Sequence, residues 1–274
     1  MRTYVLALAD KYLPKPLAEY PTFDVPATDE LKAAYEEARS RDTNGGVGQL
    51  TGEAKIKYMS KCGAAIYCCP AARVGESYCV GVCARCLTFP TERMDACLDR
   101  VIAYMAQNPN VAVRYDGSST TLVGYSDSDW DVTNSTSAHV STFGGGPVGW
   151  ASKRQHSKAL SSCEAEIMAA SLAVCELVYF RGLLAEMGFP QEGPTVLHVD
   201  NTGAIALANH RSSSARSRHI ERRYLYIRDL VHQGIIEVRY IPTDDNPADL
   251  LTKPLARDPY SRHTAALTDA ATHS

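Results

Sequence analysis

The stretch Gly124-Tyr-Ser-Asp-Ser-Asp-Trp130 carries two carboxylates, Asp127 and Asp129, at the end of an apolar run that starts at Thr121. Residues i and i+2 of a strand point to the same side, so both acids fall on one face. Like charges so placed raise each other's proton affinity unless a cation sits between them and further acids. The rest of the chain offers three more acids at element ends: Glu166 in LSSCEAEIMAAS, Asp200 after Thr195–Val199, and Asp249 in NPADLLTKPL. A set of Asp127, Glu166, Asp200 and Asp249 would repel itself without divalent metal. Oxygen-only ligation selects Mg²⁺ or Mn²⁺. Two such ions about 4 Å apart can activate water and stabilise a leaving oxygen in phosphodiester cleavage.

Each acid also has a local reading. Asp127 suits a strand-end turn. Ser161-x-x-Glu164 fits a capping box, in which Glu164 bonds back to the N-cap backbone; Glu166 has no such duty and lies near the apolar stripe Ile167, Val174, Leu177, Val178. Asp200 could cap a helix over 202–209. Asp249, three residues after Asn246 and behind Pro247, suits the positive end of a helix dipole.

The elements that must position these residues can be read from the pattern. Strands are expected over 122–127, 138–143 and from 148, the last two joined by the Gly144–Pro147 turn as in an antiparallel meander. A long helix runs from Ser162 to about Met187 and ends at Gly188. A strand over 195–200, helices over 202–209 and 218–233, a strand over 235–241 and a short helix near Asn246-Pro247 follow. The sum is an α/β fold, a mixed five-stranded sheet with flanking helices. Ahead of it, residues 55–106 read as helices, with the stripe Met94, Cys97, Leu98, Val101, Ile102, Met105 after a Pro90-Thr91 start. Residues 1–56 look poorly defined, broken by Pro14, Pro16, Pro21 and Pro26, with one helical piece over 29–41. Residues 257–274, small and polar, read as a disordered tail. The expected boundaries are therefore 1–56, 57–118, 119–256 and 257–274.

Composition sets outer limits. Among 274 residues, 45% are hydrophobic and 22% charged, an ordinary globular balance. A net charge of −3 means that nucleic-acid binding would need a local basic patch rather than an overall field. The nine cysteines lack paired CxxC spacing; Cys79, Cys83 and Cys86 fall on a helical stripe and read as buried free thiols, with zinc as the alternative. Their odd number, and an apolar run before Asp10 too short for secretion, point to an intracellular protein, cytoplasmic or nuclear, with no membrane partner.

At this point the residues resemble a known family. LVGYSDSDW, GGGPVGWASKRQHSKALSSCEAEIMAAS, HVDNTGAIALA, ARSRHIERRYLYIRDLV and IEVRYIPTDDNPADLLTKPL, in that order, are similar to the ribonuclease H domain of Ty1/copia retrotransposon Pol polyproteins. YMSKCGAAIYCC and MDACLDRVIAYMAQNPNVAVRYDG resemble the connection region that follows the polymerase in the same polyproteins. The resemblance implies a ribonuclease H-like sheet behind a mostly helical connection region, and hydrolysis of the RNA strand of an RNA–DNA hybrid. It places the family's catalytic and metal-binding set, with two Mg²⁺ ions or Mn²⁺, on Asp127, Glu166, Asp200 and Asp249. It also implies the polymerase part of the polyprotein as a partner. Cys163 stands where a threonine is usual, Ile167 replaces an aromatic, and 131–135 lacks a basic residue common in the family.

Arg211, Arg216, Arg218 and Arg222, around the Ser212–Ser214 loop, are candidate phosphate contacts, as are Lys153 and Arg154; a solvated helix face is the other reading for the arginines. Two rival functions remain. HVDN at 198–201 faintly echoes a polymerase turn but lacks its second acid and returning strand. A retrotransposon-derived fragment that binds nucleic acid without cutting keeps the same motifs and would bind hybrid regardless of metal.

Overall fold

A computed structural model describes residues 1–43, 46, 48–130, 135–209 and 218–268, with side chains described for these except 43, 206–209 and 218–222. The chain divides into two compact units, 113–253 and a second made of 1–112 with 254–274.

The first unit, 1–112 with 254–274, is helical: α1 (Arg2–Tyr12), α2 (Glu30–Thr43), α3 (Gly52–Ala72), α4 (Ser77–Ala84), α5 (Glu92–Gln107) and, from the far end of the chain, α9 (Arg257–Leu267). Thr91 caps α5, accepting a bond from the Met94 amide, and the stripe Met94, Leu98, Val101, Ile102, Met105 is fully buried. Residues 1–56 are better ordered than their prolines suggest. Val5 and Leu8 of α1 and Leu31, Ala34 and Ala38 of α2 join the same core as α5. Residues 257–267 are not a disordered tail: Tyr260, His263, Thr264 and Leu267 of α9 are buried, and Tyr260 sits edge-on to Tyr104 at 5.9 Å between centroids. Residues 269–274 lie outside the described residues. Cys62, Cys79, Cys83, Cys86 and Cys97 are free, buried thiols of this core, all pushed up in proton affinity by burial.

The second unit, 113–253, holds β1 (Val123–Asp129), β2 (Thr136–Phe143), β3 (Gly146–Arg154), α6 (Ser162–Glu186), β4 (Thr195–Val199), α7 (Thr202–Asn209), α8 (Arg218–His232), β5 (Ile236–Tyr240) and a 3₁₀ helix, Pro247–Leu251. The sheet order is β3-β2-β1-β4-β5. β1 pairs antiparallel with β2, and β2 with β3; β1 and β4, then β4 and β5, are parallel. This is the ribonuclease H-like arrangement that the motifs imply. Its compact boundary falls at Lys253 rather than at 256, because the chain leaves there for α9.

Local chemistry explains the joins. Gly144 and Gly145, at φ +67° and +84°, form the two-residue connection between β2 and β3. Positive φ at both positions matches strand twist, and glycine adopts it freely. α6 is apolar and long enough to cross a bilayer by length and composition alone, and half of its most apolar stretch is buried inside the protein. Ala170, Val174 and Leu177 of α6 pack with Leu197, Val199 and Ile236 of the sheet.

Gly124 sets how closely α6 approaches. A Cβ built there would lie 2.6 Å from Leu177 Cδ1. Gly124→Val should therefore push α6 off β1 and destabilise the sheet unit by about 1–3 kcal/mol. Both tryptophans of the chain, Trp130 and Trp150, belong to this unit, so tryptophan fluorescence melting reads it separately. An unchanged midpoint would show that Leu177 yields without cost.

Candidate metal centre

β1 and β4 run parallel, so both end at the same edge of the sheet, and their ends deliver the first acids. Asp127 lies near the end of β1 and is 3% exposed. Asp200 follows the last residue of β4. It is not the cap of α7: Asn201 Oδ1 accepts from the Ala204 amide at 3.0 Å and performs that task. Glu166 enters from the first turns of α6, whose start is fixed by Ser161 Oγ accepting from the Glu164 amide at 3.2 Å. Glu164 reaches back to the Leu160 amide, one residue before the cap, and so stays out of the site.

Ligand atoms of Asp127, Glu166 and Asp200 lie within 4.8 Å of one another. Asp249 comes from the 3₁₀ helix. Asn246 caps that helix through the Ala248 amide and donates its side-chain amide to Ser126 O at 3.0 Å, tying the helix onto β1. Asp249 is buried, and its charge reaches Asp127 and Glu166, but it stands outside the close set of three.

One oxygen of each close acid is held by a hydroxyl. Thr252 Oγ1 donates to Asp127 Oδ2 at 2.5 Å, and Thr243 Oγ1 to Asp200 Oδ2 at 2.8 Å. Ser128 donates to Glu166 Oε1 through both its hydroxyl, at 2.6 Å, and its amide, at 3.0 Å. Glu166 Oε2 and Asp249 Oδ1 are buried and have no hydrogen-bond partner. A buried carboxylate oxygen left unpaired is costly and calls for an occupant.

The electrostatics agree. Burial, then the charges of Asp249 and Glu166, lift the proton affinity of Asp127 far above the ordinary carboxyl range. Burial pushes Glu166 up to about 8, with Asp200 and Asp249 adding to it against the relief given by Ser128. Acids this crowded hold either protons or a cation. All the donors are hard oxygens, so the three acids fit a divalent hard cation.

Lys153 and Arg154 end β3 and are exposed. Arg154 pairs across β2 Thr136 with Asp129, so it shares a face with Asp127 and Asp129, two strands away. Neighbouring strands are about 4.8 Å apart, which puts its backbone roughly 10 Å from that of Asp129. Arg218 and Arg222 lie on α8, with side chains not described; Arg211 and Arg216 lie outside the described residues. Reading the acids alone missed four residues: Ser128, Thr243, Thr252 and Lys253. The last two follow Asp249 at i+3 and i+4, a one-turn spacing that was a usable signal.

The strand order, together with acids gathered at the ends of the two central parallel strands, defines a ribonuclease H-like α/β protein. No family model matches the chain. It is 33% identical over 211 residues to the retrovirus-related Pol polyprotein from transposon TNT 1-94 of Nicotiana tabacum, covering 76% of this chain and 16% of the polyprotein. It is 36% identical over 129 residues to secreted RxLR effector protein 161 of Plasmopara viticola, covering 45% of this chain and 91% of that protein. A solved foamy viral protease–reverse transcriptase in complex with double-stranded DNA aligns at TM-score 0.39 and 10% identity, over 79% of this chain and 35% of that one.

The chain belongs to the retrovirus-related Pol polyproteins of copia-type transposons, and it spans 13–16% of the length of the plant polyproteins it matches. It is related to one region of those transposon polyproteins.

Proposed function

We propose that residues 113–253 hydrolyse the RNA strand of RNA–DNA hybrids, with Asp127, Glu166 and Asp200 holding Mg²⁺ or Mn²⁺ and Asp249 as the fourth acid of the site. One observation carries this reading: three carboxylates converge within 4.8 Å, and the buried Glu166 Oε2 among them has no partner. The bound ions supply an activated water and charge stabilisation at the leaving oxygen. The protein supplies geometry. Thr252, Ser128 and Thr243 each hold one oxygen of one acid, and Glu166 Oε2 is left buried without a partner. Such outer hydrogen bonds typically matter by about 10–100-fold in metal affinity or activity. Arg154, on the Asp129 face, would take backbone phosphates at the mouth of the site, with Lys153 reaching them from the opposite face of the strand, the Ser128 side. The arginines of 211–222 would extend that grip along the hybrid, and the polymerase part of the longer polyprotein would present it.

The test is cleavage of a labelled RNA–DNA hybrid in Mg²⁺ or Mn²⁺, run beside Asp200→Asn. Cutting confined to the RNA strand and lost in the variant is the expected result. A folded wild-type chain that binds hybrid equally with and without metal, and cuts neither strand, would replace this reading with a binding module. The Lys253–Asp249 ion pair, which occupies one acid of the four, is the observation that favours that second reading.

A further inference from the structure

Three acids of the centre are held by neutral donors, and the fourth is held by a cation. Lys253 Nζ lies 2.8 Å from Asp249 Oδ2, one turn along the chain, with its side chain a third exposed and that of Asp249 6% exposed. The ammonium also lies in the fields of Asp127 and Asp129. A hydroxyl turns a dipole toward an acid and leaves its full charge available; an ammonium cancels that charge. A divalent ion at Asp249 must either displace Lys253 or sit beside a like charge. Asp249 also stands apart by distance, outside the close set that Asp127, Glu166 and Asp200 form.

We propose that Lys253 is a built-in cation that occupies Asp249, so that the protein without nucleic acid offers one tight divalent site, made by the other three acids, and only a weak one at Asp249. Lys253 is then a positioning residue that sets how many ions the centre holds. The inference rests on reading the three acids as a metal site, and it goes beyond that reading by assigning the occupancy of the fourth. The buried, unpartnered Asp249 Oδ1 is the atom through which the weak ion would enter. With all four acids ionised, the lysine leaves the centre three charges negative, which matches one dication with one charge over and falls one short of two.

Mn²⁺ titration of the full chain, followed by electron paramagnetic resonance or calorimetry without nucleic acid, tests this. The wild type should bind one ion tightly and a second at least about tenfold more weakly. Lys253→Met should tighten the second ion by about tenfold and change the first by less than about twofold. Asp249→Asn should leave the first ion within about twofold and abolish the effect of Lys253→Met in the double variant. Two equal ions in the wild type, an unchanged second ion in Lys253→Met, or a tenfold loss of the first ion in Asp249→Asn would each overturn the proposal while leaving the metal site standing. A wild type that binds no Mn²⁺ would overturn both. If Lys253→Met fails to give a cooperative tryptophan-fluorescence melt, the wild-type stoichiometry and the near-isosteric Asp249→Asn decide alone.

Discussion

Asp127→Asn should give a protein that no longer cuts hybrid and yet, in chelator, melts at a higher temperature than the wild type. Both halves come from one cause. Asp127 is almost wholly buried, and its neighbours Asp249 and Glu166 oppose its ionisation. In the unfolded chain it ionises near the ordinary value of about 4. The folded wild type must therefore take up a proton, or bear a buried charge, at every pH above that value. Asparagine removes this burden with almost no change of shape, and its side-chain oxygen can still accept from Thr252. The stability gained should be on the order of 1 kcal/mol or more at neutral pH.

The cost falls on the metal. Losing a direct ligand should exceed the ~10–100-fold that outer partners cost. In Mg²⁺ or Mn²⁺ the order of the melts should then reverse, since only the wild type gains stability from binding. Fluorescence melts in chelator and in metal check the two halves separately. An Asp127→Asn chain less stable than wild type in chelator would mean that the carboxylate is held ionised by something other than a divalent cation.

The placement of the acids was legible in the sequence because it is written in local patterns. The ends of α6 follow from Ser161, Glu164 and Gly188; the β2–β3 join follows from the glycine run; Asp127, Glu166 and Asp200 stand where those elements end. What was not legible depends on contacts far apart in the chain. Thr252 meets Asp127 across 125 residues. The one-turn spacing from Asp249 marks Thr252 and Lys253 as its neighbours, but nothing local shows that the Thr252 hydroxyl goes to Asp127. α9 was missed for a different reason. Its buried positions, Tyr260, His263, Thr264 and Leu267, are mostly polar by type, so the apolar stripe is too thin to stand out from a polar tail. α1 was obscured by the prolines that follow it, though Val5, Leu8 and Ala9 have helical spacing. In Asp200 the local reading was tempting and wrong, because the next residue, Asn201, caps the helix instead.

In chelator, the sheet unit should lose stability as pH rises from about 5 to 8.5, and divalent metal should flatten that loss. The sign follows from Glu166 and Asp127. Both have proton affinities raised on folding, Glu166 from 4.5 to about 8. Between those values the folded state holds protons that the unfolded state has released, so stability falls with pH and is fully present only below the unfolded value. Each proton so held gives a slope of about 1.4 kcal/mol per pH unit, and two coupled carboxyls give a loss of a few kcal/mol across the window. A dication replaces the protons and binds better as they leave, so its stabilisation should grow with pH over the same range. Buried acids elsewhere, Glu76 and Asp99, also have raised values and would bend a whole-chain melt the same way. Tryptophan fluorescence avoids this, since both indoles sit in the sheet unit and those two acids do not. Glu166→Gln supplies the internal control: its chelator melt should lose much of the pH slope, and metal should no longer restore stability at pH 8. A wild-type midpoint that stays level or rises with pH in chelator would mean that the acids fold as carboxylates already neutralised by the protein itself, with Lys253 the first group to suspect.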